Sequence, residues 1–324
     1  MILIDRNETD PYFNIAAEEY VLREMDEDVF MLWRSRPSVI IGKHQVAAAE
    51  ADLIFTVENN IPLIRRISGG GTVYHDEGNL NYSLITKGVR GKLVDYKKYS
   101  GTVIRALTPY SIDASLEGKS SLVVNGLKFS GNAEHIFRDR VLHHGTLLFN
   151  SDLETLRKCI RPDHRDYIDR SIRSKDSMIT NLKEHLGNNT SMKDFRKIML
   201  QQVRVDFPGI SDYTFNDHDR KMIRHLANDK YQSIEWNFGY SPSYELNKEI
   251  ILGGERYTMA MKTEKGNIKE IIFFHQGVEA LQDISKQLKN CLHHPEAISE
   301  KLKSVILSRY LAPPFHRAFI YSLF

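Results

Sequence analysis

The sequence predicts an α+β protein, with mixed β-strands flanked by helices and a small α+β appendage at its C-terminal end. Three observations carry this. Short β-rich apolar runs are interspersed with segments whose apolar residues recur at helical spacing. The pair Asn125-Gly126 separates two such runs, and these residue types tolerate the φ > 0 that a tight hairpin turn needs. The composition shifts near Trp236-Asn237-Phe238-Gly239-Tyr240-Ser241-Pro242, which reads as a linker between a domain at 1–240 and a self-contained one at 241–324.

In chain order, Pro11 to Met25 reads as a helix, with Ile15, Ala16, Tyr20, Val21 and Leu22 near one face and Asp10 or Asn14 available as its cap. Val29–Trp33 and Ser38–Gly42 read as strands broken at Pro37. Val46–Asn59 is alanine- and acid-rich and reads as a helix leading into a strand over Ile61–Ile67. Leu80 to Thr86 alternates Leu80, Tyr82 and Leu84 with Asn81 and Ser83, a strand pattern. Asp95 to Leu107 places Tyr99, Val103 and Leu107 at helical spacing. Ser121–Val124 and Leu127–Ser130 flank the hairpin turn, and Ala133–Phe137 and Val141–Phe149 form a second pair around Arg138-Asp139-Arg140. Leu153–Ile160 and Met192–Val205 read as helices. Beyond the linker, Tyr257–Thr263 and Asn267–Phe274 suggest a hairpin around Lys265-Gly266, followed by helices at Val278–Leu292 and Pro295–Leu307.

Composition narrows the function. The 324 residues, 41% hydrophobic and 27% charged, can build a sizeable core. The 44 basic and 42 acidic residues nearly cancel, which disfavours a general nucleic-acid binder. Cys159 and Cys291 stand alone, in no disulfide framework or zinc-ligand spacing. Met1 to Glu8 reaches acidic residues at once, with no secretory or transit pattern, and no apolar run approaches the roughly 20 residues of a membrane span. A soluble cytoplasmic protein is the expectation.

Three clusters carry chemistry. The first, Arg65-Arg66-Ile67-Ser68-Gly69-Gly70-Gly71-Thr72-Val73-Tyr74-His75-Asp76, joins fixed positive charge to three glycines. Successive exposed N–H groups make an anion-binding concavity, and arginine adds a planar fork that matches phosphate or carboxylate. A glycine-rich hairpin with solvated arginines would read the same way. The second, Val124 to Ala133, sets Lys128 in an apolar strand, where alternation places it on the face of Ser130 and opposite Phe129. Taken alone, it could be a solvated edge lysine. The third is His143-His144-Gly145-Thr146-Leu147-Leu148.

In this order and spacing the clusters resemble the lipoate-protein ligase A family of the biotin/lipoyl ligase superfamily. Gly78-Asn79, Tyr82-Ser83, Asn14, Ala16, Glu18, Pro37, Gly42 and Gln45 also fit, over roughly residues 1–240. The resemblance implies a mixed-sheet α+β core shared with biotin ligases, with 241–324 as an accessory domain. It implies that ATP and lipoate give lipoyl-AMP, and that the lipoyl group then passes to a lysine of a carrier domain. Such carriers would be the E2 subunits of 2-oxoacid dehydrogenases or the glycine cleavage H protein; no nucleic-acid or membrane partner is expected.

By the same resemblance, Lys128 is catalytic, bridging the lipoate carboxylate and the α-phosphate. Arg66, Ser68, Gly69, Gly70, Gly71, Thr72, Val73, Tyr74, His75, Asn79, Ser130, Gly131 and Asn132, with Lys128, would hold ATP and lipoyl-AMP. Val73, His75, Lys128, Gly131, His144, Gly145 and Thr146 would line the lipoate slot. Mg²⁺ is expected on the phosphates, with no protein ligand assigned. Biotin is disfavoured, because biotin ligases carry a Gly-Arg-Gly-Arg-type loop and here both arginines precede the glycines. One departure stands out: where the family has a Ser-Arg-Val-x-Asn-Leu loop, this chain has Ser177-Met178-Ile179-Thr180-Asn181-Leu182, with Arg173 and Lys175 just upstream. Two other readings remain. One is a lipoyl or octanoyl transferase using a preformed adenylate or acylated carrier, although no cysteine lies in the clusters. The other is a non-catalytic module that binds lipoate or a nucleotide.

Overall fold

A computed structural model describes residues 1–88, 94–160, 165–174, 177–187, 189–302, 307–308, 310–311 and 315–324. Lys175 and residues 303–306 of the expected last helix lie outside them. The strands are β1 (Ile2–Asp5), β2 (Val29–Trp33), β3 (Ser38–Ile41), β4 (Leu63–Arg65), β5 (Val73–His75), β6 (Asn79–Lys87), β7 (Ala114–Glu117), β8 (Ser121–Val124), β9 (Leu127–Phe137), β10 (Arg140–Leu148), β11 (Tyr167–Asp169), β12 (Ser211–Asp212), β13 (Tyr244–Leu252), β14 (Glu255–Glu264), β15 (Asn267–His275) and β16 (Val278–Ala280). The helices used below are α1 (Pro11–Glu24), α2 (Leu53–Glu58), α3 (Tyr96–Leu107), α4 (Met192–Asp206), α5 (Asp217–Leu226) and α6 (Gln282–Leu288).

The chain folds as two compact units, one of Met1–Lys43, Ile64–Leu156 and Lys175–Ser233, the other of His44–Leu63, Arg157–Ser174 and Ile234–Phe324. The first is built on an eight-stranded sheet ordered β12-β1-β2-β6-β10-β9-β8-β7. It is mixed, with β12, β1 and β2 parallel and the rest antiparallel. Leu80, Tyr82 and Leu84 of β6 and Val141 and Leu147 of β10 face a core closed by Tyr99, Val103 and Leu107 of α3 and Phe195, Met199 and Val203 of α4. Phe149 stacks on Phe195 at 4.9 Å. Each apolar side chain buried there contributes roughly 1.5–3 kcal/mol. The alternate residues of β6 and β10 face α1, which begins at Pro11 because Asp10 accepts the N–H groups of Tyr12 and Phe13. A smaller sheet, β4-β3-β5, brackets the triple glycine.

The second unit carries a five-stranded antiparallel sheet, β11-β13-β14-β15-β16. Its segments 44–63 and 157–174 meet at an Ala51–Ile160 bridge. Among the described residues no helix is long and apolar enough to cross a membrane.

Several elements differ from the sequence expectation. The two strands expected at 127–130 and 133–137 are one continuous strand, β9. The helix expected at 46–59 breaks at Ala51-Asp52, where Asp52 caps α2 through the N–H groups of Ile54 and Phe55. The helix expected from Val278 starts at Gln282, because Gln276 (φ 50°) and Gly277 (φ 80°) make a hairpin turn that pairs Val278 with His275. The segment read as a linker contains a helical turn at Glu235–Gly239, with Trp236 and Tyr240 4.9 Å apart. Helix α5 went unanticipated; Asn216 and Asp219 form its capping box.

Candidate active site

Lys128 follows the β8–β9 turn, where Asn125 and Gly126 adopt φ of 52° and 74° as the hairpin signal requires. The ladder slips by one residue here, so that Leu122 faces Ser130 and Val123 faces Lys128. The simple alternation expected between Lys128 and Ser130 is therefore interrupted at Phe129, a bulge of the kind that re-aims side chains. On its other side Lys128 is clamped by the loop that departs from the family pattern. Its N–H donates to Met178 O at 2.8 Å, and Thr180 N–H donates to Lys128 O at 3.0 Å. Met178 itself is 75% exposed. Arg173 belongs to the second unit, where it donates to Tyr167 O (2.8 Å) and Asp169 Oδ2 (3.0 Å).

The Lys128 side chain is half-buried, and desolvation pushes its ammonium below the ordinary lysine pKa. A methyl group added at Gly131 would lie 3.6 Å from Lys128 Nζ and 4.0 Å from Val73 Cγ1. The amine, Gly131 and the strand after the glycine loop thus border one small space. Gly131 N–H also donates to Thr146 Oγ1 at 3.3 Å, tying β9 to β10 there.

In the glycine loop, Arg65 is fully buried and donates to Gly42 O and Lys43 O, both at 3.1 Å. Arg66 is wound into the loop itself. Its Nε donates to Ser68 Oγ (2.9 Å), Nη1 to Ile40 O (3.1 Å), and Nη2 to Gly69 O (2.5 Å) and Gly71 O (2.7 Å). Gly70 has φ 84°, and a methyl there would press within 3.2 Å of Arg66 Nη2. The guanidinium expected to reach phosphates here braces the loop from within. Thr72 and Val73 are half-buried, and Tyr74 and His75 are buried on β5.

The two histidines of β10 point to opposite faces of the sheet. His144 Nε2 lies 2.7 Å from Ser68 Oγ, and its Nδ1 lies 2.9 Å from both carboxylate oxygens of Glu18. His143 Nδ1 lies 2.9 Å from Glu134 Oε1, and its Nε2 lies 3.1 Å from Tyr82 Oη. Tyr82 donates in turn to Asn132 Oδ1. Asn132 Nδ2 donates to Ser120 O (2.9 Å) and Ser130 Oγ (3.2 Å). A Cβ at Gly145 would come within 2.7 Å of the Tyr82 ring and collide with Asn132, so only glycine fits. His75 packs edge-on against Trp33, and its buried Nδ1 has no hydrogen-bond partner among the described residues. Desolvation, with Arg66 and His144 nearby, pushes its pKa from 6.5 to about 3. Asn79 is buried and donates to Asn81 Oδ1 at 2.8 Å, within its own strand.

Contacts therefore link Arg66, Ser68, the glycines and His144 in one network, and Lys128, Val73, Gly131 and Thr146 around one space. Sequence reasoning gave no role to Glu18, Glu134, His143 or Tyr82. The available signal was polar residues at buried strand positions, such as Ser83 between Tyr82 and Leu84.

The profile of the lipoyl protein ligase A/B catalytic domain matches residues 10–204. The chain belongs to this family. The lipoyl ligase relatives include Lipoate–protein ligase 1 of Staphylococcus aureus, 33% identical over 310 residues, which is 94% of each chain. Among solved structures, P. falciparum LipL1 in complex with lipoate superposes with a TM-score of 0.64 at 22% identity, covering 99% of both chains. A lipoate-protein ligase A bound with ATP gives 0.61 at 24% identity, covering 74% of this chain and 98% of that one. These likenesses establish that the first unit has the lipoyl ligase fold, mixed sheet and flanking helices included.

Proposed function

We propose that this lipoyl ligase is an ATP-dependent lipoate-protein ligase, which activates lipoate as lipoyl-AMP and transfers the lipoyl group to a lysine of a carrier domain. The observation that carries this reading is the half-buried Lys128 ammonium facing the Gly131–Val73 space, beside a glycine loop braced by Arg66. Relatives named for this activity, and likenesses to proteins holding lipoate and ATP, support it.

Amide formation from a free carboxylate needs an activated acyl group. The lipoate carboxylate oxygen attacks the α-phosphorus, forming the acyl–phosphate bond as pyrophosphate leaves. This brings two anions together, so a cation must stand where charge accumulates. Lys128 fills that role as a compact point charge that can follow the negative charge between oxygens. In the second step the acceptor amine attacks the acyl carbon, a proton is lost from nitrogen, and AMP departs. Lys128 then stabilises the carbonyl oxygen.

Arg66 and Ser68 to His75, with Asn79, Lys128, Ser130, Gly131 and Asn132, hold the nucleotide in this reading, and Val73, His75, Lys128, Gly131, His144, Gly145 and Thr146 wall the lipoate slot. Asn132 also orders Tyr82, Ser130 and Ser120, and Arg66 also orders the loop. Among the described residues no three His, Cys, Asp or Glu side chains converge as a metal site. Mg²⁺ is proposed on the phosphate oxygens of the nucleotide, where it would neutralise phosphate charge. E2 lipoyl domains and the glycine cleavage H protein are the proposed acceptors, the cytoplasm the proposed location, and residues 241–324 the proposed accessory domain.

The test is lipoate-dependent exchange of labelled pyrophosphate into ATP, with biotin as the control acid. Exchange with lipoate and not with biotin is expected. Met178 favours a second reading. With no cation at this loop position, the protein would transfer from preformed lipoyl-AMP without making it. Carrier lipoylation from supplied lipoyl-AMP, with no exchange, would establish that instead.

A further inference from the structure

Glu18 is a carboxylate at 1% exposure, in the middle of α1, facing a sheet. Its surroundings give it a direction. Trp33 Nε1 donates to Ser83 Oγ at 3.0 Å, and Ser83 donates to Glu18 Oε1 at 2.6 Å. His144 Nδ1 lies 2.9 Å from both Glu18 oxygens. An ionised carboxylate only accepts, so Nδ1 carries the hydrogen. On the far side of the ring, Nε2 lies 2.7 Å from Ser68 Oγ. The Ser68 oxygen then takes the Arg66 Nε hydrogen at 2.9 Å, and Arg66 Nη2 holds the carbonyls of Gly69 and Gly71. The chain runs without a break from the middle of α1 to the glycine loop.

We propose that Glu18 is a positioning residue for the adenylating step. Through His144 and Ser68 it sets the orientation of the Arg66 guanidinium, and with it the shape of the Gly69–Gly71 loop. This rests on the ligase reading for its catalytic consequence, while the wiring itself stands apart from it. Glu18 acts through another residue: its carboxylate holds the His144 ring, and the ring holds Ser68 where it receives the Arg66 Nε hydrogen.

The experiment combines two readouts on the full chain. In the ligand-free protein, amide hydrogen exchange over residues 66–74 is expected to quicken in Glu18→Ala and Ser68→Ala alike. In pyrophosphate exchange, Glu18→Ala should lower kcat by at least about tenfold, since a small misplacement of binding groups is costly. The Glu18→Ala/Ser68→Ala pair should be no worse than Ser68→Ala alone, because both break one chain. Glu18→Gln keeps the size and one accepting oxygen. It should fall between wild type and Glu18→Ala, and it carries the test if the alanine variant does not fold. Unaltered loop exchange in Glu18→Ala, or losses that multiply in the double variant, would overturn the proposal. A wild-type protein inactive with lipoate would remove the ligase reading, and the hydrogen-exchange arm would still decide the wiring.

Discussion

The space beside Lys128 Nζ is kept open by the absence of a side chain at Gly131. Its φ lies outside the left-handed range and a methyl there meets only ordinary contacts, so Gly131→Ala should fold within about 0.5 kcal/mol of wild type. Placed between the ammonium and Val73, however, the methyl occupies the reacting space. We expect pyrophosphate exchange to drop by at least tenfold, roughly the cost of a small misplacement, while the urea midpoint holds. A parallel loss of both would mean the methyl damages packing instead. Lys128→Met should weaken lipoate binding only modestly by calorimetry, because the apolar slot remains, and lose roughly 10²–10³ in turnover, the range for removing one preorganised charge stabiliser. At this scale Lys128, the glycines and the histidines were legible, because motif spacing and turn chemistry are local. The partnership of Glu18 with His144 was not, since 126 residues separate them and only the packing of α1 on the sheet joins them.

Strand β10 presents His143 to one face and His144 to the other, each held by its own carboxylate. This division depends on register, because a slip of one residue would exchange the two side chains. Gly145 guards it, as Tyr82 and Asn132 close over the position where its side chain would stand. Gly145→Ala should cost about 1–3 kcal/mol, the usual range for overpacking, or more, because backbone-bound neighbours must move. Urea denaturation with an unchanged m-value would check it, and a loss below about 0.5 kcal/mol would show that Tyr82 yields freely. The β8–β9 turn and the β14–β15 hairpin could be read from Asn-Gly and Lys-Gly. The bulge at Phe129, the continuity of β9 and the Gln276-Gly277 turn could not, because strand pairing rather than local propensity decides them.

At the scale of the molecule, burial has been traded against titration. His75 is held neutral, its pKa lowered from 6.5 to about 3, chiefly by desolvation. Burial also lowers His143, against the upward pull of Glu134. Because these values lie below those of the unfolded chain, the unfolded state binds more protons. The His75 contribution is complete above about pH 6.5 and is lost as pH falls toward 3; that of His143 is lost in the same direction. His75 alone should give a slope approaching 1.4 kcal/mol per pH unit in the acid part of that window. In His75→Gln, stability measured between pH 6 and pH 4.5 should depend on pH less steeply than in wild type. Identical slopes would count against a neutral buried imidazole. The linear division at residue 240 expresses a limit of the same kind. Compactness gathers 44–63 and 157–174 with the C-terminal segment, and a bridge such as Ala51–Ile160 leaves no local trace in composition.

The two hydrogen bonds between Lys128 and the 178–180 segment make an amine-bearing strand and a surface loop into one mechanical part. Whatever displaces the loop must break or drag the ladder at the lysine. Since Met178 points into solvent, a fluorophore attached at that position would report optically on the strand that carries Lys128 while leaving the lysine itself unmodified.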